Sequence, residues 1–397
     1  MTKVLMVTAQ YMPDVYGGAE KQCRRIATEL QSSGVEVTVL TSTQKWRVDE
    51  SNESLKVKRI YTLFPPDLLG RWLFFSIYWL VAATCWAIWN RNKFDIIHCH
   101  QGKFGAFVGC FIGKLLNKPT IIKIGNSNQH MDLVCLKKKF FIGPILVRLI
   151  LKSNPVFVAI TSVIAENLKK FGCKRIVCIP NGIDTALLNS LSPKKTRVKK
   201  TDSIILFYHG RIEEIKRIDI LLRAFEIVFH SDFDLKLHLV GDGTALVETK
   251  RWAQKLGLQD SIVFHGARED VIEVISHFDV FVNASEAEGF SNSLLEALLL
   301  GKVLVSTPVS GASDVIEDGK NGAVAENFSP ERLAEAILMG VKVYKEHAGA
   351  VIDHNKNLVT EKFRMPLVAE KYKNLYGTLG DPYKISIKMP ENTFTEN

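Results

Sequence analysis

Short β-branched runs alternate with longer stretches of helical periodicity from Lys3 onward: "KVLMVTA", "GAEKQCRRIATELQSSG", "EVTVLTS", and later "DIIHCH", "TIIKIG", "VFVAITS" and "RIVCIP". Brief apolar runs separated by amphipathic helices are the pattern of parallel strands covered on both faces. Gly34 supplies a stop for the first helix, because glycine suits the left-handed cap. A second series begins after the polar linker "SPKKTRVKKTDS": "SIILFYHG", "RIDILLRAFEIVFH", "LKLHLVGDG", "LVETKRWAQKLG", "IVFHG", "DVIEVISHF", "VFVNAS", "LLEALLLG" and "KVLVSTP". The expected fold class is α/β, with two Rossmann-like doubly wound domains facing across a cleft and ligands at the carboxyl ends of the strands. The predicted boundaries are 1–190 for the first domain, 191–365 for the second, a helix at 366–379 returning to the first domain, and a polar tail at 380–397.

Length and composition agree with this division. A chain of 397 residues exceeds one typical hydrophobic core, and 47% hydrophobic with 23% charged residues is ordinary globular composition. All seven cysteines fall in the first half and none are spaced C-x-x-C, so they read as reduced thiols and not as a disulfide framework or zinc site. The net charge of +9 is concentrated in the first half, while the second half is mildly acidic. An anionic membrane surface fits that asymmetry, as does a plain solvated basic face; nucleic acid is disfavoured by the lack of basic-aromatic or zinc-finger signatures.

One segment complicates the picture. "WLFFSIYWLVAATCWAIWN" carries no charge from Trp72 to Asn90 and is just long enough to span a bilayer. Its strand-like neighbours "KVKRIYTL" and "FDIIHCH" argue against spanning, since two strands of one sheet would then lie on opposite sides of a membrane. A buried helix and a helix lying in the membrane interface both remain open, the latter favoured by its tryptophans and the flanking Arg71 and Arg91.

Three motifs carry candidate chemistry. Gly17 and Gly18 precede the first helix, where free N–H groups can meet an anion. Arg211 and Lys216, in "HGRIEEIKRID" at a strand end, are two cations suited to a diphosphate. In "SEAEGFSNSLLEALLLGK", Glu288 and Glu296 flank the backbone of Gly289, Phe290 and Ser291, so an anion-friendly loop lies between two carboxylates that can each grip sugar hydroxyls. The D-x-D at Asp232 to Asp234 precedes a strand, the wrong end for a metal-dependent site, and reads as a turn.

Taken together, "GGAEKQ", "HGRIEEIKRIDILLRAF", "LVGDG", "IPNGID" and "EGFSNSLLEALLLGKVLVSTPVSGASDVIEDGKNG" resemble the retaining glycosyltransferases of the family-four type, with the two-domain GT-B fold and an E-x7-E motif. The likeness runs from about Lys3 to Leu379. It implies a nucleoside-diphosphate sugar as donor, no cofactor and no metal. Arg211 and Lys216 would hold the diphosphate, Glu288 the transferred sugar, Glu296 the ribose, and the backbone of Gly289, Phe290 and Ser291 the phosphates. Gly18, with Gly17, would approach from the first domain, Gly210 lies at the strand end before Arg211, and Gly266 and Ala267 would line the base. Where many relatives carry His-Gly after the strand "TIIKIG", this chain has Gly125, Asn126, Ser127 and Asn128, so acceptor-side candidates are Asn126, Ser127, His130 and His100. The implied activity is retaining transfer of a hexose-type sugar to a saccharide acceptor, lipid-linked, at the cytoplasmic face of a membrane. A soluble acceptor, or a noncatalytic nucleotide- or glycan-binding subunit, are the rival readings.

Overall fold

The computed structural model describes residues 1–15, 17–46, 54–66, 72–139, 141–191, 203–231 and 233–380. The described residues form two compact units, one within 1–182 together with 365–380 and the other within 183–364. The boundary lies eight residues before the expected 190/191. The turn Thr185–Ser190 packs against a helix of the second unit, and the Ile183 amide donates to the Phe363 carbonyl at 2.7 Å, so 183–190 belongs to that unit's packing. The polar linker at 192–202, Asp232 of the D-x-D and the tail from 381 onward lie outside the described residues.

In the first unit the strands are β1 (Lys3–Val7), β2 (Glu36–Thr43), β3 (Lys56–Tyr61), β4 (Ile96–His100), β5 (Thr120–Ile124), β6 (Val156–Ala159) and β7 (Ile176–Cys178). They form one parallel sheet in the order β3-β2-β1-β4-β5-β6-β7. The helices are α1 (Gly18–Ser32), α2 (Trp72–Trp89), α3 (Phe104–Leu116), α4 (Asp132–Lys137), α5 (Ile142–Lys152) and α6 (Ser162–Lys170). Because β3 and β4 share a sheet, α2 is a crossover helix, and no helix among the described residues is long and apolar enough to cross a membrane.

The second unit holds β8 (Ile204–His209), α7 (Ile218–Phe229), β9 (Leu235–Val240), α8 (Leu246–Lys255), β10 (Ile262–Gly266), α9 (Val271–Ser276), β11 (Val280–Asn283), α10 (Asn292–Leu299), β12 (Val303–Ser306), β13 (Gly322–Val324) and α11 (Pro330–Leu358). Its parallel sheet runs β10-β9-β8-β11-β12-β13. Strand order reverses at β1/β4 in one sheet and at β8/β11 in the other; such a switch point opens a crevice beyond the strand ends.

The last helix, α12 (Met365–Gly380), packs on α1 of the first unit. Val368, Ala369, Tyr372 and Tyr376 are all buried, at roughly 1.5–3 kcal/mol for each large side chain. The Tyr376 hydroxyl lies 2.8 Å from His98 Nδ1 on β4, which fixes the helix by a polar contact inside an otherwise apolar seam.

Candidate functional site

The β8/β11 switch point gathers the charged side chains. β8 ends at His209, and the loop that follows carries Arg211 and a turn at Glu214–Lys216. β11 ends at Asn283, and its loop carries Ser285 and Glu288 before α10 begins. The two loops are pinned by a backbone bond, Glu286 N–H to the Ile215 carbonyl at 3.0 Å. Lys216 Nζ thereby reaches Glu288 Oε1 in an ion pair whose members are 20% and 14% exposed. Arg217 closes the turn with a left-handed φ of 49° and holds Asp219 through two hydrogen bonds of 3.0 and 2.9 Å.

Glu288 is also fixed from the strand side. Ser285 Oγ lies 3.0 Å from Glu288 Oε1 and 2.8 Å from Asn283 Oδ1, and its single proton serves one of them at a time. The buried Tyr208 hydroxyl donates to the Arg211 carbonyl at 2.8 Å, and its phenol is pushed up by burial and then by the Glu288 charge. Arg211 itself points outward, 64% exposed, with Nη1 donating to Glu213 Oε1 at 2.8 Å.

Helix α10 explains the second glutamate. Ser291 caps it, Oγ accepting from the Leu294 amide at 3.3 Å, while Leu294, Leu295, Ala297, Leu298 and Leu299 are buried. Glu296 leaves this apolar helix toward β8, where its Oε2 lies 3.0 Å from His209 Nε2. Against a carboxylate that ring nitrogen donates, and among the described residues the buried Nδ1 has no hydrogen-bond partner. Phe290, buried in the loop, packs on Phe363 with ring centroids 5.4 Å apart.

Two strand-end glycines allow close backbone approach. Gly210 has φ 143° and Gly241 φ 147°, and a Cβ on Gly241 would lie 1.8 Å from the Gly210 carbonyl oxygen. The Gly241 amide donates to the Gly266 carbonyl at 2.8 Å, extending the row to the end of β10, where Ala267 is exposed.

In the first unit, Gly17 caps α1 without a side-chain bond and Gly18 begins it. The space over Gly17 holds the Glu20 carboxylate, since a Cβ there would meet Oε2 at 2.2 Å. Asp132, fully buried, accepts from the Gly102 and Gly125 amides at 2.9 and 3.1 Å and so ties the loops after β4 and β5 together. Asn126 is half-buried, Ser127 buried and His130 exposed. His100 differs from an open acceptor-side group: it is 4% exposed and stacks on His98 at 4.4 Å, because β4 ends beneath a packed layer. Burial, then the Lys123 charge, pushes His98 down to about 3, and His100 also falls well below the usual imidazole range. Beside them Lys123, buried and with no hydrogen-bond partner at Nζ among the described residues, is pushed down to about 8 by burial.

Sequence reasoning missed His209, Ser285, Tyr208, Gly241 and Asp132. The glycine of "LVGDG" is a signal that could have found Gly241. The partners of His209 and Asp132 are visible only in three dimensions. Among the described residues no group of three or more His, Cys, Asp and Glu could hold a metal ion.

Two parallel α/β sheets, each with a strand switch point, are the architecture this chain shares with solved glycosyltransferases of the GT-B class. The sequence models for "Glycosyltransferase Family 4" and "Glycosyl transferases group 1" match residues 16–187 and 203–341. The chain belongs to the family-four type of glycosyltransferase. It is 23% identical over 373 residues to N-acetyl-alpha-D-glucosaminyl L-malate synthase of Bacillus anthracis, covering 91% of this chain and 93% of that one. It is 27% identical over 379 residues to alpha-monoglucosyldiacylglycerol synthase of Streptococcus pneumoniae, covering 91% and 81%. Among solved structures, Anabaena HepE in complex with UDP-glucose superposes with a TM-score of 0.74 at 18% identity, covering 96% of this chain and 100% of that one.

Proposed function

We propose that the chain transfers a hexose-type sugar from a nucleoside diphosphate to a lipid-linked saccharide acceptor, with retention at the anomeric carbon and with protein cations in place of a metal ion. The observation that carries this reading is the Lys216–Glu288 pair, pinned at the β8/β11 switch point by the bond between Glu286 and Ile215. With donor bound, Lys216 and Arg211 exchange their carboxylate partners for the diphosphate, and Glu288 turns to the hydroxyls of the transferred sugar. Glu296, held by His209, takes the ribose; the backbone of Gly289, Phe290 and Ser291 takes the phosphates; Gly210 permits close approach and the base lies by Gly266 and Ala267.

The acceptor hydroxyl attacks the anomeric carbon on the face from which the diphosphate departs. The bond from that carbon to the phosphate oxygen breaks as the new glycosidic bond forms, and a β-phosphate oxygen takes the hydroxyl proton. Charge on the leaving group peaks in that transition state, so Lys216 and Arg211 contribute most there. Asn126, Ser127 and His130 are the acceptor-side candidates. The glycolipid in the name of the Streptococcus relative favours a lipid-linked acceptor at the cytoplasmic face of a membrane; the malate in that of the Bacillus relative favours the second reading, a soluble acceptor. Arg211→Ala or Lys216→Ala should abolish transfer while the circular dichroism spectrum and thermal midpoint stay close to wild type. Near-normal turnover in either variant would sink the proposed site.

A further inference from the structure

Helix α2 carries its bulky apolar residues outward. Phe74, Ile77, Tyr78 and Val81 recur at helical spacing and are 48–70% exposed, and Trp89 at the end is 92% exposed. Its inward face is made of Ser76, Trp79, Ala83, Thr84 and Ala87, so the helix is seated by one tryptophan and small residues. That is the reverse of an ordinary surface helix, and an exposed apolar stripe this long marks an interaction surface.

The neighbouring helices continue the stripe and add charge. α3 packs beside α2, and α5 beside α3. On α3, Phe111 and Leu115 are 45% and 53% exposed, with Lys114 exposed on the same turn. On α5, Ile145 and Leu149 are 55% and 45% exposed, and Arg148 and Lys152 share their face at helical spacing. Between Trp72 and Ala165 the sequence holds eleven Lys and Arg against two Asp. Asp132 is fully buried, and Asp95 lies just before β4, bonded to the Lys3 amide. No exposed carboxylate therefore stands on these helix faces.

We propose that the exposed faces of α2, α3 and α5 form a docking surface for an anionic lipid bilayer. The aromatic and aliphatic side chains enter the headgroup boundary, while Lys114, Arg148 and Lys152 extend their stems along it toward lipid phosphates. Charge decides the occupant: a second copy of the chain would set these cations against themselves, whereas an anionic bilayer meets both the apolar stripe and its charge. The proposal deepens the lipid-linked reading of the acceptor by naming the surface that brings the enzyme to it.

Flotation of the full chain with mixed phosphatidylglycerol–phosphatidylcholine vesicles, against pure phosphatidylcholine vesicles, tests it. The expected result is binding to the mixed vesicles, weakened by salt, and little binding to the neutral ones. Arg148→Ala with Lys152→Ala should weaken binding roughly 25-fold, about fivefold per cation removed. Phe74→Ser with Val81→Ser should weaken it at least as much. All these positions are exposed, so thermal midpoint and donor hydrolysis should match wild type. Equal binding by wild type and both double variants, equal affinity for both vesicle types, or no vesicle binding by a wild-type chain that turns over donor, would overturn the docking surface. So would a wild-type dimer in sedimentation that the apolar variant dissociates, or saturating occupancy of the face by an acidic protein in place of vesicles. Vesicle binding without turnover of any donor would fail the glycosyl-transfer reading and leave the docking surface standing.

Discussion

His209→Phe separates orientation of Glu296 from everything else at the site. The ring is 3% exposed, lies 6.0 Å from Phe207 and 5.4 Å from Phe281, and a phenyl group fits that apolar wall. What is lost is the 3.0 Å bond to Glu296, whose side chain is 13% exposed and has little water to replace it. A hydrogen bond to a charged group contributes about 1.5–3 kcal/mol, so the variant should raise the donor KM by roughly 10- to 100-fold. The ribose contact proposed for Glu296 would be made equally in the ground and transition states, so kcat should stay within about threefold. Initial rates over a donor titration for wild type, His209→Phe, Glu296→Gln and the double variant form a cycle, and the coupling should be about 1 kcal/mol or more. An unchanged KM in His209→Phe, or strictly additive single effects, would refute the idea that His209 aims Glu296 at the donor.

Gly241→Ala should destabilise the second unit by roughly 3 kcal/mol, combining a positive φ with a Cβ that meets the Gly210 backbone; a thermal midpoint equal to wild type would contradict this. The buried imidazoles make a pH prediction. The folded pKa of His98, about 3, lies below the unfolded value of about 6.5, and His100 is shifted the same way. Their contribution is therefore fully present above about pH 6.5 and is lost as pH falls from there toward the folded values. Thermal midpoints should drop on acidification from about pH 7 to about pH 5, and His98→Gln with His100→Gln should flatten that slope; an identical slope in the double variant would count against it.

Which parts were legible follows from how local the signal is. Strand runs and amphipathic helices announce themselves within ten residues or so, and the glutamate spacing of the α10 loop is visible in one segment. The Lys216–Glu288 pairing joins positions 72 apart and His209–Glu296 positions 87 apart, so only the sheet order brings them together. His100 reads as a strand-end histidine open to an acceptor, but the stack on His98 and the layer above it become apparent only in the packing. Helix α2 failed in another way: it is apolar all round, so its period could not say which face is buried. The contacts do, through Trp79 and the small residues beside it. The division at 182/183, in place of the expected 190/191, is not visible in the sequence because "NGIDTALLNS" has too few apolar positions to show which core it joins.

The proposed site built from Lys216 and Arg211 should transfer the sugar with retention. The most direct measurement is proton NMR of the freshly formed product from whichever nucleotide sugar in a panel supports turnover, read before mutarotation. The wild-type product should carry the donor's own anomeric configuration, and Lys216→Ala should give no product. An inverted anomer, or undiminished product from that variant, would contradict it.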